Sequence, residues 1–266
     1  MLQLLPWLLY RLLDHPDLPA TDTSSLRRVR VGSSPVSPRR IGEAIERLGP
    51  VIGQTYGSIE ATNITTIDAE ELAAHPELRG TVGRPVPGVE LSVRDDADRE
   101  VPTGEVGRVH VRSFAVMAGY HNAPDQTADV LRDGWFDTGD LGRLDDAGYL
   151  TLVGRTKDVI FAEGGDVHPT EVEHVLVEHP DVTDAGVFAV PDDDGIERVA
   201  AVVVASRGAE PDVGALAAWV TERHGTVLAA GVHVVDAIQR VPSGKIDRAA
   251  LAGRIGDRRP RADRQG

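Results

Sequence analysis

Along the chain, the spacing of apolar positions changes character twice. Ser37 to Leu48 places Ile41, Ala44, Ile45 and Leu48 on one helical face, and short apolar runs flank it at Val29–Val31 and Val51-Ile52. Strand, helix, strand predicts an α/β layer. From about Val89 to Val153 the period shortens. Val89, Leu91 and Val93 alternate, Val106, Val109 and Val111 do so less strictly, and Tyr149 to Val153 reads as a further strand. Pro85, Pro87, Gly88, Pro102, Gly104 and Gly107 punctuate these runs. The middle of the chain is therefore expected to be a β-rich subdomain, with one short helix from Gln126 to Leu131.

After Gly154-Arg155 the pattern changes again. Val159–Ala162, Ala185–Val190, Val199–Val204 and Val232–Val235 read as strands. Thr170–Val177 and Pro211–His224 read as helices, and Ile246–Leu251 starts a last one. Thr170 and Glu173 have the spacing of a capping box, and Leu216, Trp219 and Val220 share a face. This predicts a small α+β domain of about 100 residues, near the usual minimum for a stable core. The expected organisation is a first domain over 1–155, a second over 156–255 and a disordered tail over 256–266, where Arg258, Arg259, Pro260 and Arg261 cluster.

The opening Leu2–Leu13 is apolar but broken by Pro6 and Arg11. It is too short to span a bilayer and lacks a basic leader and a small-residue cleavage site. A buried amphipathic helix, or the edge of a larger domain, is the expectation, and cytoplasm is the default location. Hydrophobic residues make up 41% of the 266, as in soluble globular chains. With no cysteine, disulfides, thiolate metal sites and a cysteine nucleophile are excluded. A formal charge of −14 argues against nucleic-acid binding and requires any anionic ligand to find a locally positive site. Of the 28 basic residues only Lys157 and Lys245 are lysine. Composition alone leaves these as two surface lysines. His168, His174 and His179 are spaced six and five apart, which puts them on no common helical face.

Four stretches carry the chemistry. They are Gln54-Thr55-Tyr56-Gly57-Ser58-Ile59-Glu60, Gly134-Trp135-Phe136-Asp137-Thr138-Gly139-Asp140-Leu141, Gly154-Arg155-Thr156-Lys157-Asp158 and Pro242-Ser243-Gly244-Lys245-Ile246-Asp247-Arg248. In this order they resemble the adenylate-forming (AMP-binding) superfamily of acyl- and aryl-CoA synthetases, luciferases and peptide-synthetase adenylation domains. The linkers Gly80–Gly88 and Gly119–Thr127 look like those of fatty acyl-CoA ligases. The resemblance implies the end of a large N-terminal α/β domain with its β-rich subdomain, followed by a small mobile α+β domain.

It also implies a reaction and roles. A carboxylic acid, fatty or aryl, joins the α-phosphate of ATP, and the acyl group then passes from AMP to CoA. The cofactors implied are ATP/AMP, Mg and CoA. Tyr56-Gly57 would stack on adenine, with Ser33, Ser34 and Pro35 as the opposite wall; by itself the pair reads as a tyrosine in an ordinary turn. Glu60 is similar to the magnesium-associated carboxylate, although Ile59 stands where the family carries Thr or Ser. Asp140 would accept the ribose hydroxyls in a bidentate way, and Arg155 would reach the ribose or phosphate. Taken singly, they read as a turn aspartate and a surface ion pair. Lys157 falls on the hinge about which the small domain swings between an adenylating and a thioester-forming pose. Gly164-Gly165 would pass the pantetheine arm, or simply form a hairpin turn. Lys245 resembles the catalytic lysine.

These 266 residues contain no Ser/Thr/Gly-rich loop for the β- and γ-phosphates. The expectation is a truncated or split acyl-CoA ligase. The alternatives are a non-catalytic nucleotide- or CoA-binding module and a subunit that completes a separately encoded N-terminal half.

Overall fold

The computed structural model describes residues 1–192 and 194–256. The chain forms two compact units that meet in sequence between Asp158 and Val159.

The first unit opens with β1 (Leu2–Leu4), α1 (Pro6–Leu13), β2 (Val29–Val31), α2 (Pro38–Leu48), β3 (Ile52–Ser58), β4 (Thr62–Ile67), α3 (Ala69–Ala74) and β5 (Arg84–Pro85). β1, β2 and β3 run parallel, and β4 and β5 extend the sheet antiparallel in the order β1-β2-β3-β4-β5. Parallel strands need crossover connections, which α1 and α2 supply. Leu9, Leu13, Ile41 and Ala44 from these helices close on Val29, Val31 and Ile52. The apolar opening is thus an edge strand and a helix together, not a helix alone. Strand β3 extends past the predicted Val51-Ile52 through the Gln54–Tyr56 motif, and β4, rich in Thr and Ile, escaped the sequence reading.

The second sheet contains β6 (Val89–Arg94), β7 (Gly107–Ser113), β8 (Leu131–Arg132), β9 (Trp135–Leu144) and β10 (Leu150–Arg155), with α4 (Pro124–Val130) leading into β8. Its path is β10-β9-β7-β6, all antiparallel, with β8 paired to β9. One apolar cluster joins both sheets: Tyr56, Ala61 and Ile64 from β3, β4 and their turn meet Val109, Val111, Phe136 and Leu150. That junction brings the first two sequence motifs together.

The second unit begins with β11 (Ile160–Ala162) and β12 (Gly165–Val167), a small hairpin. It continues with α5 (Pro169–Glu178), β13 (Val182–Pro191), β14 (Glu197–Ala205), α6 (Val213–His224), β15 (Val232–Val234) and α7 (Arg248–Gly256). β14 lies between β13 and β15. One sheet face packs on α5 and α6 through Val172, Leu176, Leu216 and Val220. The other packs on α7 through Leu251 and Ile255. This unit therefore has apolar clusters on both faces of its own sheet.

Several local expectations need correction. The Thr170–Glu173 capping box does not form. Pro169, whose fixed φ suits a first helical turn, starts α5 with His168 at the cap, so Thr170 is already inside the helix. Glu173 instead accepts from the Val187 amide at 2.9 Å and from Arg248. Helix α6 starts at Val213, because Asp212 caps it through Gly214 N at 2.8 Å and Ala215 N at 3.1 Å. Arg248, not Ile246, opens α7, since Ile246 is held in a bridge to Arg240. The last unit-one turn, Thr156–Asp158, stays with the first unit, three residues beyond the expected boundary. Of the predicted tail, Gly256 ends α7 and the remainder lies outside the described residues.

Lysyl endopeptidase has two sites in this chain, both at exposed lysines. Lys157 lies in a short turn after β10, whereas the Lys245 carbonyl accepts from Val241 N at 2.9 Å within an anchored turn. Native cleavage is expected after Lys157 first, releasing a fragment from Asp158 onward that keeps a cooperative thermal transition. Preferential cleavage after Lys245, or a fragment without a transition, contradicts the independence of the second core.

Candidate active site

At the junction of the two sheets, Tyr56 leaves β3 and Asp140 leaves β9. Arg155, at the end of β10, stands directly across the antiparallel ladder from Asp140. The Tyr56 hydroxyl donates to Asp140 Oδ2 at 2.7 Å, and Arg155 Nε lies 2.8 Å from Asp140 Oδ1. Burial and the Asp140 carboxylate together push the Tyr56 hydroxyl far above its ordinary pKa, so it remains a donor. The strand itself sets this geometry. Thr138 Oγ1 donates to Val109 O at 2.9 Å and accepts from Asp140 N at 3.1 Å. Arg155 Nη2 donates to Thr138 O at 3.1 Å. Asp137, paired with Arg108, accepts from Gly139 N at 2.9 Å.

A carboxylate offers about four lone-pair sites. Tyr56 and Arg155 engage one oxygen each, and Asp140 keeps 18% of its side chain exposed. The carboxylate is therefore reachable by a ligand from its exposed side. Tyr56 is 8% exposed and packs in the junction cluster, so in this structure its ring faces mostly protein and its hydroxyl is the group committed to the site.

Gly57 is required by the backbone. A Cβ there would lie 1.9 Å from Thr62 O, where β3 and β4 shift register between Tyr56 and Gly57. The close neighbour is the β4 main chain, which the sequence reading, with its approach to a nucleotide, had not found. Gly32 is similarly crowded, since a Cβ there would lie 2.6 Å from Thr55 O, and the Ser33-Ser34-Pro35 segment follows it directly. Ser33 adopts φ +81°, a conformation that L-residues rarely take and that concentrates at functional sites.

Glu60 sits in the β3–β4 turn. Its carbonyl accepts from Met117 N at 2.7 Å and its carboxylate from the Tyr120 hydroxyl at 3.0 Å. Burial pushes the carboxyl up, but hydrogen bonds from its own amide, Tyr120 and Ser58, with the charge of Arg155, outweigh this and hold it below the usual range. Ile59 beside it is 98% exposed. Tyr120 is a residue that the sequence reading missed. It stands in the Gly119–Thr127 linker, and only its three-dimensional partner reveals it.

The other predicted residues occupy separate elements. Lys157 is exposed in the turn after Arg155. Gly164 and Gly165 lie at the β11–β12 hairpin, Gly165 with φ +116°, and a Cβ on Gly164 would meet nothing within 4 Å. Lys245 is exposed on a tight turn in which Gly244 has φ +85° and donates to Val241 O at 2.8 Å.

Two family models match: AMP-binding enzyme over residues 1–121, and AMP-binding enzyme C-terminal domain over residues 171–245. The chain belongs to the AMP-binding enzymes. Within this adenylate-forming family it is 40% identical over 261 residues to the medium/long-chain-fatty-acid–CoA ligase FadD8 of Mycobacterium tuberculosis, covering 95% of this chain and 45% of that one. It is 37% identical to the fatty acid–[acyl-carrier-protein] ligase ScoC of Streptomyces coeruleorubidus, with coverages of 94% and 49%. The amide bond synthetase McbA of Marinactinospora thermotolerans superposes with a TM-score of 0.87 at 44% identity, over 94% of this chain and 52% of that one. The chain thus spans about half the length of the relatives it matches. As in those structures, the architecture is mixed α/β with several sheets.

Gly57 and Gly164 offer a paired test. Gly57→Ala is expected to cost about 1–3 kcal/mol, because overpacking against the Thr62 carbonyl has no side chain to displace. Gly164→Ala, in open space, is expected to leave the urea midpoint unchanged. Equal midpoints for the two variants contradict the close β3–β4 crossing.

Proposed function

We propose that this chain carries the nucleotide- and lysine-bearing part of an ATP-dependent acyl-CoA ligase. The reading rests on one observation, the partly exposed Asp140 carboxylate held between Tyr56 and Arg155. In the first half-reaction a carboxylate oxygen attacks the α-phosphorus of ATP, and the bond to pyrophosphate breaks. In the second, a thiol sulfur attacks the acyl carbon and AMP leaves. Both steps gather negative charge, so catalysis depends on positioning and on cations that offset it.

Asp140 accepts the ribose hydroxyls, and Tyr56 keeps that carboxylate oriented while its exposed edge borders the base. The Ser33-Ser34-Pro35 segment lines the other side. Arg155 neutralises Asp140 and extends positive charge towards the phosphate and Glu60. The donor set at Glu60 fits magnesium: it is an ionised, partly exposed carboxylate, and Mg²⁺ takes one or two such ligands with phosphate oxygens and water. When bound, the metal would offset phosphate charge. Tyr120 fixes the carboxylate for it. Ile59 brings no hydroxyl to the phosphate.

Lys245 supplies the compact point charge for the carboxylate–phosphate transition state. Lys157 is the hinge and Gly164-Gly165 the pantetheine loop of the second half-reaction. A fatty or aryl acid is the substrate class. CoA is the favoured acceptor, although the relatives' names divide among CoA, acyl carrier protein and amide bond formation.

Carboxylate-dependent ATP–pyrophosphate exchange tests the reading. The 266 residues alone are expected to exchange weakly, since each missing phosphate donor costs about 10²–10³ in rate. Wherever exchange is measurable, Lys245→Ala should abolish it while sparing thioester formation from a supplied acyl-adenylate. Lys157→Pro, which restricts φ, should slow the second step more than the first. Equal loss of both steps in Lys245→Ala contradicts the assignment of the lysine to adenylation.

A further inference from the structure

Lys245 sits on a mount whose two ends are anchored differently. On the C-terminal side, Asp247 N donates to Gln239 O at 3.0 Å, and the Asp247 carboxylate accepts from Ala250 N at 3.0 Å, capping α7. Arg248 donates to Glu173 Oε1 at 2.5 Å and Val187 O at 2.7 Å. Ile246 packs into the cluster beneath α7. These contacts anchor the residues after the lysine; the residue before it is Gly244.

That residue is held from elsewhere. Arg240 Nη1 donates to Gly244 O at 3.1 Å, and its Nη2 donates to Asp184 Oδ2 at 2.5 Å. Arg240 and Asp184 are only 15% and 18% exposed. Asp184 is placed there by a bulge, because the β13–β14 register shifts between Val182 and Asp184. Bulges of this kind re-aim a side chain out of the regular alternation. Its other oxygen accepts from Ala185 N at 3.0 Å, which fixes the carboxylate plane. The guanidinium is a rigid fork, so one arm locked on Asp184 sets the direction of the other. Replacing a largely buried ion pair by apolar residues is often neutral or stabilising, so stability alone is a weak reason for this pair.

We propose that Asp184 and Arg240 are positioning residues for Lys245: the pair grips the Gly244 carbonyl and so fixes the direction in which the lysine side chain leaves its turn. The functional weight of this rests on the adenylation reading above. The mechanical claim does not.

The chain's two lysines make the test direct. Labelling with ¹⁵N-lysine gives two amide signals, with Lys157 as the internal control. The Lys245 amide is expected to show an order parameter of about 0.85 in the unmodified chain and below about 0.6 in Arg240→Ala and in Asp184→Asn. Lys157 should be unchanged in both. Asp184→Asn preserves side-chain shape and keeps the question open to decision if Arg240→Ala does not fold. A Lys245 order parameter that stays high in the folded variants overturns the proposal. So does a loss of order shared equally by Lys157, which would indicate general loosening. The measurement needs no turnover, so its failure is distinct from failure of the adenylation reading, which pyrophosphate exchange decides.

Discussion

The Asp140 carboxylate, set between a tyrosine hydroxyl of one sheet and a guanidinium of the other, is the interaction on which the first unit's site depends. A mostly buried carboxylate is costly unless it is paired and hydrogen-bonded. Tyr56 and Arg155 meet that requirement at 2.7 Å and 2.8 Å, and they do so from strands that are distant in sequence. The apolar junction of Tyr56, Ile64, Val109, Phe136 and Leu150 lowers the local dielectric and strengthens both contacts. Removing Arg155 would take away the opposite charge at 2.8 Å, and removing Tyr56 the hydroxyl donor at 2.7 Å. The sheets must therefore keep their relative placement for the site to exist, and the site in turn penalises their separation.

Much of this was legible in the sequence because it is local. The Thr138-Gly139-Asp140 run, the Tyr56-Gly57 pair and the lysine turn are short segments whose backbone demands appear as glycine and polar residues at fixed positions. Strands β6 and β7 and helix α2 followed from apolar spacing alone. What was not legible is mainly long-range. Tyr120 is an ordinary linker tyrosine until the fold sets it against Glu60, sixty positions away. The Thr170–Glu173 pair had the right spacing for a cap, but Glu173 found stronger partners in Val187 and Arg248, and Pro169 moved the helix start. Strand β4 has threonine where apolar alternation was sought, so its β-branched content was the signal available.

The skewed use of basic residues has a physical reading once partners are visible. Arginines serve where a fixed, planar donor is needed. Arg40 is almost wholly buried and ties Asp14, Glu43 and the Tyr10 carbonyl together, joining α1 to α2. Arg94 and Arg112 lie over the Trp135 ring at 4.5 Å and 4.7 Å while each also meets an acid, Asp98 or Glu90. Arg240 and Arg248 hold the turn on both sides of Lys245. The two lysines, in contrast, stand exposed. In a chain of formal charge −14, many arginines pair with neighbouring acids, among them Arg40, Arg94, Arg112, Arg155 and Arg240. A cation that must remain available to a charge developing elsewhere needs a long flexible stem and no fixed partner, which is what lysine provides. The same division explains why Lys245 is framed by arginines. The forks fix the backbone from which it leaves, and the ammonium alone keeps its freedom.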